Sequence, residues 1–386
     1  MPFAAALSEH PLATHAVGET VGQILDELGP APDLAVLFVT APQAGALEDI
    51  ASSVRRLLNP RVLIGATAVS VIGGSQEIEE KPAIVLWAAR FGVDITPVRL
   101  EAIPSPDGTI VAGGNSLNSG DGTLLLLNDP FSFPADEILD HLAEIAPGIA
   151  VIGGMASAAR GPGGNILVLD DELFRDGAVG VHLPPAISVE AVVSQGCRPV
   201  GQPLVVTRSE RNVVYELAGR PAVERLNEVV ERLSEQDRRL LANGLHIGRV
   251  IDEHRVEYGR GDFLIRGVIG ADRAIGAIAV GDQMEVGATV QFQVRDAVSA
   301  DEDLRAMLDG RSADGALVFT CNGRGSHLFG VAGHDAEVVS ELTGAPVGGM
   351  FCAGEVGPVG GRNFVHGFTA SVALFRDVER PSGVSE

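Results

Sequence analysis

Residues able to do chemistry gather in three stretches near the C-terminal end. The first is Cys321-Asn322-Gly323-Arg324-Gly325-Ser326-His327. It follows a buried-strand pattern, Ala316–Cys321, so its loop lies at the C-terminal end of a strand. In open α/β sheets that edge is where ligand crevices form. Glycines on both sides of Arg324 let backbone amides approach an anion. The guanidinium itself can clamp a carboxylate or phosphate through two parallel hydrogen bonds. The plainer reading is a tight turn with an exposed arginine.

The second stretch runs from Gly348 to Pro358, with Gly349 and Gly357 among its glycines and Glu355 as its one ionisable carboxylate. A turn this rich in glycine would aim Glu355 to accept an ammonium group or to act as a base; the plainer role is capping neighbouring amides. The third is Phe364–Thr369, read as the start of one long strand. Alternation puts Phe364, His366, Phe368 and Ala370 on one face, and Thr369 on the other. A histidine among phenylalanines is more often a satisfied core residue than a working group. Gly367 leaves room on the opposite face.

Stronger chemical claims find less support. Cys321 as a nucleophile beside His366 needs contact and a lowered thiol pKa. A zinc site from Cys321, Cys352, Glu355 and His366 lacks any recognised ligand spacing. Gly323–Gly325 does not extend to a dinucleotide fingerprint, and the glycine loops at Gly113-Gly114 and Gly161–Gly164 lack the lysine and hydroxyl ending of a phosphate loop. No cofactor is expected. Gly196-Cys197-Arg198-Pro199 reads as a tight turn around a structural cysteine.

The elements that must position these loops alternate between strand and helix. Val17, Val21, Ile24 and Leu28 fall at helical spacing until Gly29-Pro30 stops them. Leu34–Thr40 is a buried strand. Leu47, Ile50, Val54 and Leu58 form an amphipathic helix, and Arg61–Gly65 is a second strand. A shift of 88 residues lays Thr40, Pro42, Ile50, Val54, Leu57, Ile64 and Gly65 on Asn128, Pro130, Ile138, Leu142, Ile145, Ile152 and Gly153. A looser third copy spans Ala316–Cys321, the helix marked by Val338, Val339 and Leu342, and Pro346–Phe351. Each unit is strand, polar loop, helix, strand, then a Gly-rich bend. Between copies two and three come short strands (Ile187–Gln195, Leu204–Thr207, Val213–Leu217, Phe263–Ile269, Ile275–Val280, Thr289–Val294) and helices over Pro221–Ser234 and Asp301–Leu308. Asp301, Glu302 and Asp303 would complement the dipole at that last helix's start. The fold class is α/β (mixed α+β): two domains of repeated strand–helix–strand units with Gly-rich bends, mixed sheets, and a strand-rich middle segment.

Composition narrows the partners. The 386 residues carry 28 Lys and Arg against 51 Asp and Glu, a net charge of −23. That field repels phosphate backbones and anionic lipid, so neither nucleic acid nor a membrane is expected as partner. With only 14 Phe, two Tyr and one Trp, base-stacking platforms are disfavoured too. Three widely spaced cysteines give no disulfide framework. Met1 to Pro11 has neither the basic start nor the apolar run of a signal peptide. A cytoplasmic location is expected.

The segments LIGATA, GCRPVGQPLVVT (196–207), LVFTCNGRGSHLF (317–329) and PVGGMFCAGEVGPVGGRNFVHGFT (346–369) resemble the FIST family, in which FIST-N and FIST-C domains are paired. The resemblance covers roughly residues 30–375. It implies a sensory module of signal transduction thought to bind small ligands, amino acids among them, and to pass the signal to a protein partner. The motif positions are Asn322, Gly323, Arg324, Gly325, Glu355, Gly357, Pro358, His366 and Thr369. The corresponding division is an N-terminal helix and lead-in (1–30), a FIST-N-like domain (31–212), a FIST-C-like domain (213–376) and a flexible tail (377–386). There is no room for an F-box before residue 30, and no signalling domain follows 375, so the chain reads as a standalone member. Three readings stay open: a small-ligand sensor holding a zwitterion between Arg324 and Glu355, an enzyme using Cys321 or Glu355, and an adaptor with no small ligand.

Overall fold

The computed structural model describes residues 2–105, 108–114, 117, 120–241, 244–255 and 257–377. All but the first residue of the 377–386 tail lies outside them. The chain forms two compact units, both discontinuous in sequence. The first draws on Met1–Val193, Arg305–Val365 and Thr369–Glu386, the second on Ser194–Leu304 and His366–Phe368.

Among the described residues, the first unit is built on three sheets, each with one parallel strand pair bridged by a helix. Leu34–Thr40 pairs with Val62–Ala68 across the helix Leu47–Leu58. Asp121–Asn128 pairs with Gly148–Met155 across Ala135–Ile145. Gly315–Cys321 pairs with Val347–Cys352 across the single turn Ser326–Phe329 and the helix His334–Thr343. In each case the first strand has an antiparallel neighbour on its other side: Ile84–Ala89, Ala178–Leu183 and Thr369–Arg376. The strand centres are apolar because both faces are covered; all seven residues of Leu34–Thr40 are buried. The Leu47–Leu58 helix shows the opposite pattern. It buries Ile50, Ala51, Val54 and Leu58, starts with Glu48 and Asp49, and ends with Arg55 and Arg56, each charge matched to its end of the dipole. Asn59 (φ +55°) stops it in the left-handed region.

One central core joins the sheets. Leu34, Phe38, Trp87, Ile152, Leu317, Phe319 and Phe375 are fully buried in it. Trp87 lies 5.6 Å from Phe3 and 5.0 Å from Phe375, ring centre to ring centre.

The second unit is an antiparallel barrel. Its strands run Cys197–Glu210, Thr289–Arg295, Leu245–Val250, Phe263–Asp272, Ala277–Val280 and Val213–Leu217, and the last pairs back to the first. Val200, Ile247, Phe292 and Val280 fill it, with Val223 from the helix Ala222–Arg232.

The mixed α/β class and its strand–helix–strand units match the reading of the sequence, with four local corrections. Gly196–Pro199 is not a tight turn: Cys197 starts a 14-residue strand, opposite Arg295. The 364–374 strand is two strands, Arg362–His366 and Thr369–Arg376. Phe368, at φ +65°, breaks it between them and ends the strict alternation. The Asp301 helix begins earlier, at Ala297. Asp296 is its cap, accepting from the Val298 amide (3.2 Å), so Asp301–Asp303 lie within the helix rather than at its positive end. The strand Leu245–Val250 had too few β-branched residues to be noticed; Gly248 and two polar side chains interrupt its pattern.

Candidate functional site

The C-terminal ends of the three bridged pairs meet. Ser157, two residues past Gly148–Met155, donates its amide to Thr67 O (3.2 Å) and its hydroxyl to Phe351 O (2.6 Å), and accepts from the Val69 amide (3.0 Å). The Met155 amide donates to Gly354 O (2.8 Å), and that of Ala353 to Met155 O (3.1 Å). Glycine allows this close approach: a Cβ on Gly154 would lie 2.3 Å from the Cys352 sulfur.

At this junction Cys321 and Cys352 end adjacent parallel strands, directly in register. Glu355 opens the following strand opposite Gly154 and is completely buried. Its Oε2 accepts from the Thr369 hydroxyl (2.8 Å) and amide (3.1 Å). The Cys321 thiol also bonds to its carboxyl group. Burial dominates over these bonds and over the Arg324 charge, pushing the Glu355 pKa up to about 8. The side chain is therefore a neutral acid at neutral pH. Burial, with Glu355 and Cys321 nearby, likewise pushes the Cys352 thiol well above its ordinary value.

Arg324 is also fully buried, but its charge is already answered. Its Nε and Nη2 donate to the two oxygens of Asp335 at 2.7 and 2.8 Å. Asp335 accepts further from the Thr320 hydroxyl (2.6 Å) and bonds to His334 Nδ1 (3.0 Å). The guanidinium and these bonds hold the Asp335 carboxyl below the usual range against the cost of burial. The Arg324 guanidinium carbon lies 5.3 Å from the Phe329 ring centre, and Phe329 stacks on His334 at 3.5 Å.

A hairpin holds this loop from the next strands in the sheet. Glu77 accepts from the amides of Gly333 (2.8 Å), Asp335 (3.0 Å) and Ala336 (3.2 Å), at the positive end of the His334–Thr343 helix. Burial first and the Asp335 charge second push its pKa up to about 7. Glu79 accepts from the Ser326 amide (2.8 Å) and also binds the Ser326 hydroxyl. Gly325, at φ +58°, has no room for a side chain: a Cβ would lie 2.5 Å from Glu79 Oε1 and 2.9 Å from the Phe351 ring.

The residues singled out in the sequence thus divide. Cys321, Arg324, Glu355 and Thr369 lie in one electrostatically coupled cluster, with Asn322 and Gly323 on its loop. Gly349 and Gly357 serve packing. A Cβ on the first would lie 2.2 Å from Val318 O, and one on the second 2.6 Å from Val193. Pro358 sits within the strand Glu355–Val359. His366 is buried and falls in the second unit. The picture of an Arg324 and Glu355 that present bare opposite charges needs correction. Asp335 neutralises one, and burial discharges the other.

Sequence reasoning missed Asp335, Glu77 and Glu79. An acid in a helix's first turn reads as a dipole partner, and acids in a hairpin as solvated. Nothing local marks Asp335 as the partner of Arg324, 11 residues before it, or Glu77 and Glu79 as partners of a loop about 250 residues further on. Asn128, at the matching strand end of the second bridged pair, was missed as well; it is fully buried.

Three buried atoms of the loop cluster have no hydrogen-bond partner among the described residues: Asn322 Oδ1, Arg324 Nη1 and Glu355 Oε1. Both amide atoms of Asn128 share that condition. Native interiors seldom leave such atoms unpaired, since each costs about 1–3 kcal/mol.

Comparison with known proteins places this architecture. The FIST N domain model matches residues 33–220 and the FIST C domain model residues 222–358. Mb0898c of Mycobacterium bovis, described as an uncharacterized protein, is 45% identical over 376 residues, covering 95% of this chain and 97% of that one. MT0656 of Mycobacterium tuberculosis, described in the same way, is 42% identical over 385 residues, covering 98% of this chain and all of the other. No helix among the described residues is long and apolar enough to cross a membrane. The chain belongs to the FIST family, whose domains are sensory modules of signal transduction thought to bind small ligands.

Proposed function

We propose that this protein is a cytoplasmic sensor that binds an amino acid or a similar zwitterion at the cluster of Cys321, Asn322, Arg324, Glu355 and Thr369. The observation that carries this reading is the trio of unpaired buried atoms, Asn322 Oδ1, Arg324 Nη1 and Glu355 Oε1. Together they offer one fixed donor, one fixed acceptor and one oxygen that changes role with its proton. A ligand carboxylate would take Nη1, and an ammonium group would take Asn322 Oδ1 and Glu355 Oε1. Because Glu355 is a neutral acid near pH 7, an ammonium arriving beside it would favour its ionisation. Binding then releases a proton, which gives the sensor a chemical signature. Three thiols with no disulfide among them suit a reducing compartment. The signal would pass to a protein partner.

The test is a thermal-shift screen of the natural amino acids on wild type, Asn322→Ala and Glu355→Gln. At least one amino acid should stabilise wild type, with clearly smaller shifts in both variants. Calorimetry of the hit near pH 7, in buffers of different ionisation enthalpy, should then register close to one proton released per ligand. No shift with any amino acid, or equal shifts in all three proteins, would defeat the reading.

One observation favours a catalytic role instead. Cys321 is the only thiol of the three that is not fully buried, and it bonds to the Glu355 carboxyl group. If Cys321 is a nucleophile, iodoacetamide at pH 7 should alkylate it many times faster than it alkylates a small free thiol.

A further inference from the structure

The barrel of the second unit has a polar row on the side of its wall away from its core. Across three neighbouring strands, Gln293 lies directly opposite His246, and His246 directly opposite Gly267. Directly opposed residues share one face of a sheet. The flanking Ile247 and Phe292 point the other way, into the barrel core. His246 and Gln293 are 4% and 1% exposed, yet His246 Nδ1 and Gln293 Nε2 have no hydrogen-bond partner among the described residues.

The surroundings define what these two atoms can do. His246 bonds to the Gly244 backbone, and Nδ1, with no partner among the described residues, can accept when the neutral ring carries its proton on the other nitrogen. Burial and the Arg295 charge keep it neutral, lowering its pKa to about 4. Gln293 offers an amide N–H, and its Nε2 lies over Gly248, where a Cβ would come within 2.9 Å of it. Phe368 meets the imidazole edge to face at 4.2 Å, and the Arg295 guanidinium lies 5.2 Å from the Phe368 ring. Next to His246, a Cβ on Gly267 would meet nothing within 4 Å. An acceptor, a donor, an aromatic ring and a nearby positive charge thus share one face of the sheet, in the row where Gly267 leaves the space of a side chain open.

We infer that this face is a second binding site, for a small hydroxy-carboxylate. The hydroxyl donates to His246 Nδ1, and the carboxylate accepts from Gln293 Nε2 beside Arg295. The site involves none of the residues of the strand-end cluster.

Glycolate, L-lactate and L-malate are the probes, titrated calorimetrically into the full chain. Wild type should bind at least one of them with a stoichiometry of one. Gly267→Leu fills the open space and should weaken that binding at least tenfold. Gly267→Ala, a single added methyl where a Cβ meets nothing, serves as the milder variant should the leucine disturb folding, and should weaken it measurably. Glu355→Gln should bind as wild type does. The inference is overturned if none of the three acids binds, if both Gly267 variants bind like wild type, or if Glu355→Gln is the variant that loses binding.

Discussion

Glu355→Gln gives the sharpest view of the electrostatics at the strand ends. The carboxyl group titrates near 8 in the folded chain against about 4.5 when exposed. Between those values the folded state holds one proton more than the unfolded state, so stability falls as pH rises. The slope approaches about 1.4 kcal/mol per pH unit, and its sum over the interval is about 5 kcal/mol. Glutamine keeps the shape of the protonated acid, and its carbonyl can still accept from Thr369, but it cannot ionise. Glu77 contributes a similar slope up to about pH 7 in both proteins, so it cancels in the difference. Trp87, the chain's one tryptophan, is fully buried in the first unit and reports its unfolding in urea by fluorescence. At pH 5 the two proteins should differ little; at pH 8.5 the variant should be more stable by about 4 kcal/mol. A difference that stays flat from pH 5 to pH 8.5, or a variant that becomes the weaker partner at high pH, would mean that Glu355 is ionised in the fold and that this description of the site is wrong.

Other expectations follow from the same geometry. Arg324→Met strands the buried Asp335 carboxylate and should cost about 3–5 kcal/mol, whereas Arg324→Met with Asp335→Leu should regain at least half of that; a double variant as unstable as the summed single variants would refute the pairing. Asp335, held below the usual carboxylate range, stabilises the fold above its unfolded pKa of about 4, and that contribution is lost as pH falls further; acid unfolding of Asp335→Asn should therefore be shallower below pH 4. Mass-spectrometric counting of alkylated thiols in the native protein should find Cys321 modified first, with Cys197 and Cys352 protected until unfolding. Gly325→Ala, forced to φ +58° against Glu79 and Phe351, should lower stability by about 1–3 kcal/mol in the same urea assay, and an unchanged midpoint would show that the loop relaxes freely.

The strand–helix–strand units were legible because their signals are local. Leu34–Val39 is an unbroken apolar run, Ile50, Val54 and Leu58 recur at helical spacing, and Asn59-Pro60 marks the end. The Cys321 loop was legible for a similar reason, since glycine density after an apolar strand is a feature of a few consecutive residues. What closes the site was not legible. Asp335 reaches Arg324 from the start of a helix, and Glu77 and Glu79 come from a hairpin about 250 residues earlier. No short-range pattern encodes such pairings. The barrel's polar row was hidden too, because His246, Gln293 and Gly267 come from three separate strands and align only through register. Phe368 shows the converse limit. Alternation predicted an unbroken strand, but one residue in the left-handed region ends it, and a phenylalanine gives no warning of that.

Native mass spectrometry tests the central claim most directly. Protein purified gently from its expressing cells, and refilled from a small-molecule extract, should carry an additional mass that matches an amino acid. Asn322→Ala and Glu355→Gln, folded and treated identically, should lack that amino-acid mass, whatever hydroxy-carboxylate the barrel retains. A wild-type chain that stays at its bare mass after exposure to the extract, or variants that hold the same adduct equally well, would contradict a ligand site at Arg324 and Glu355.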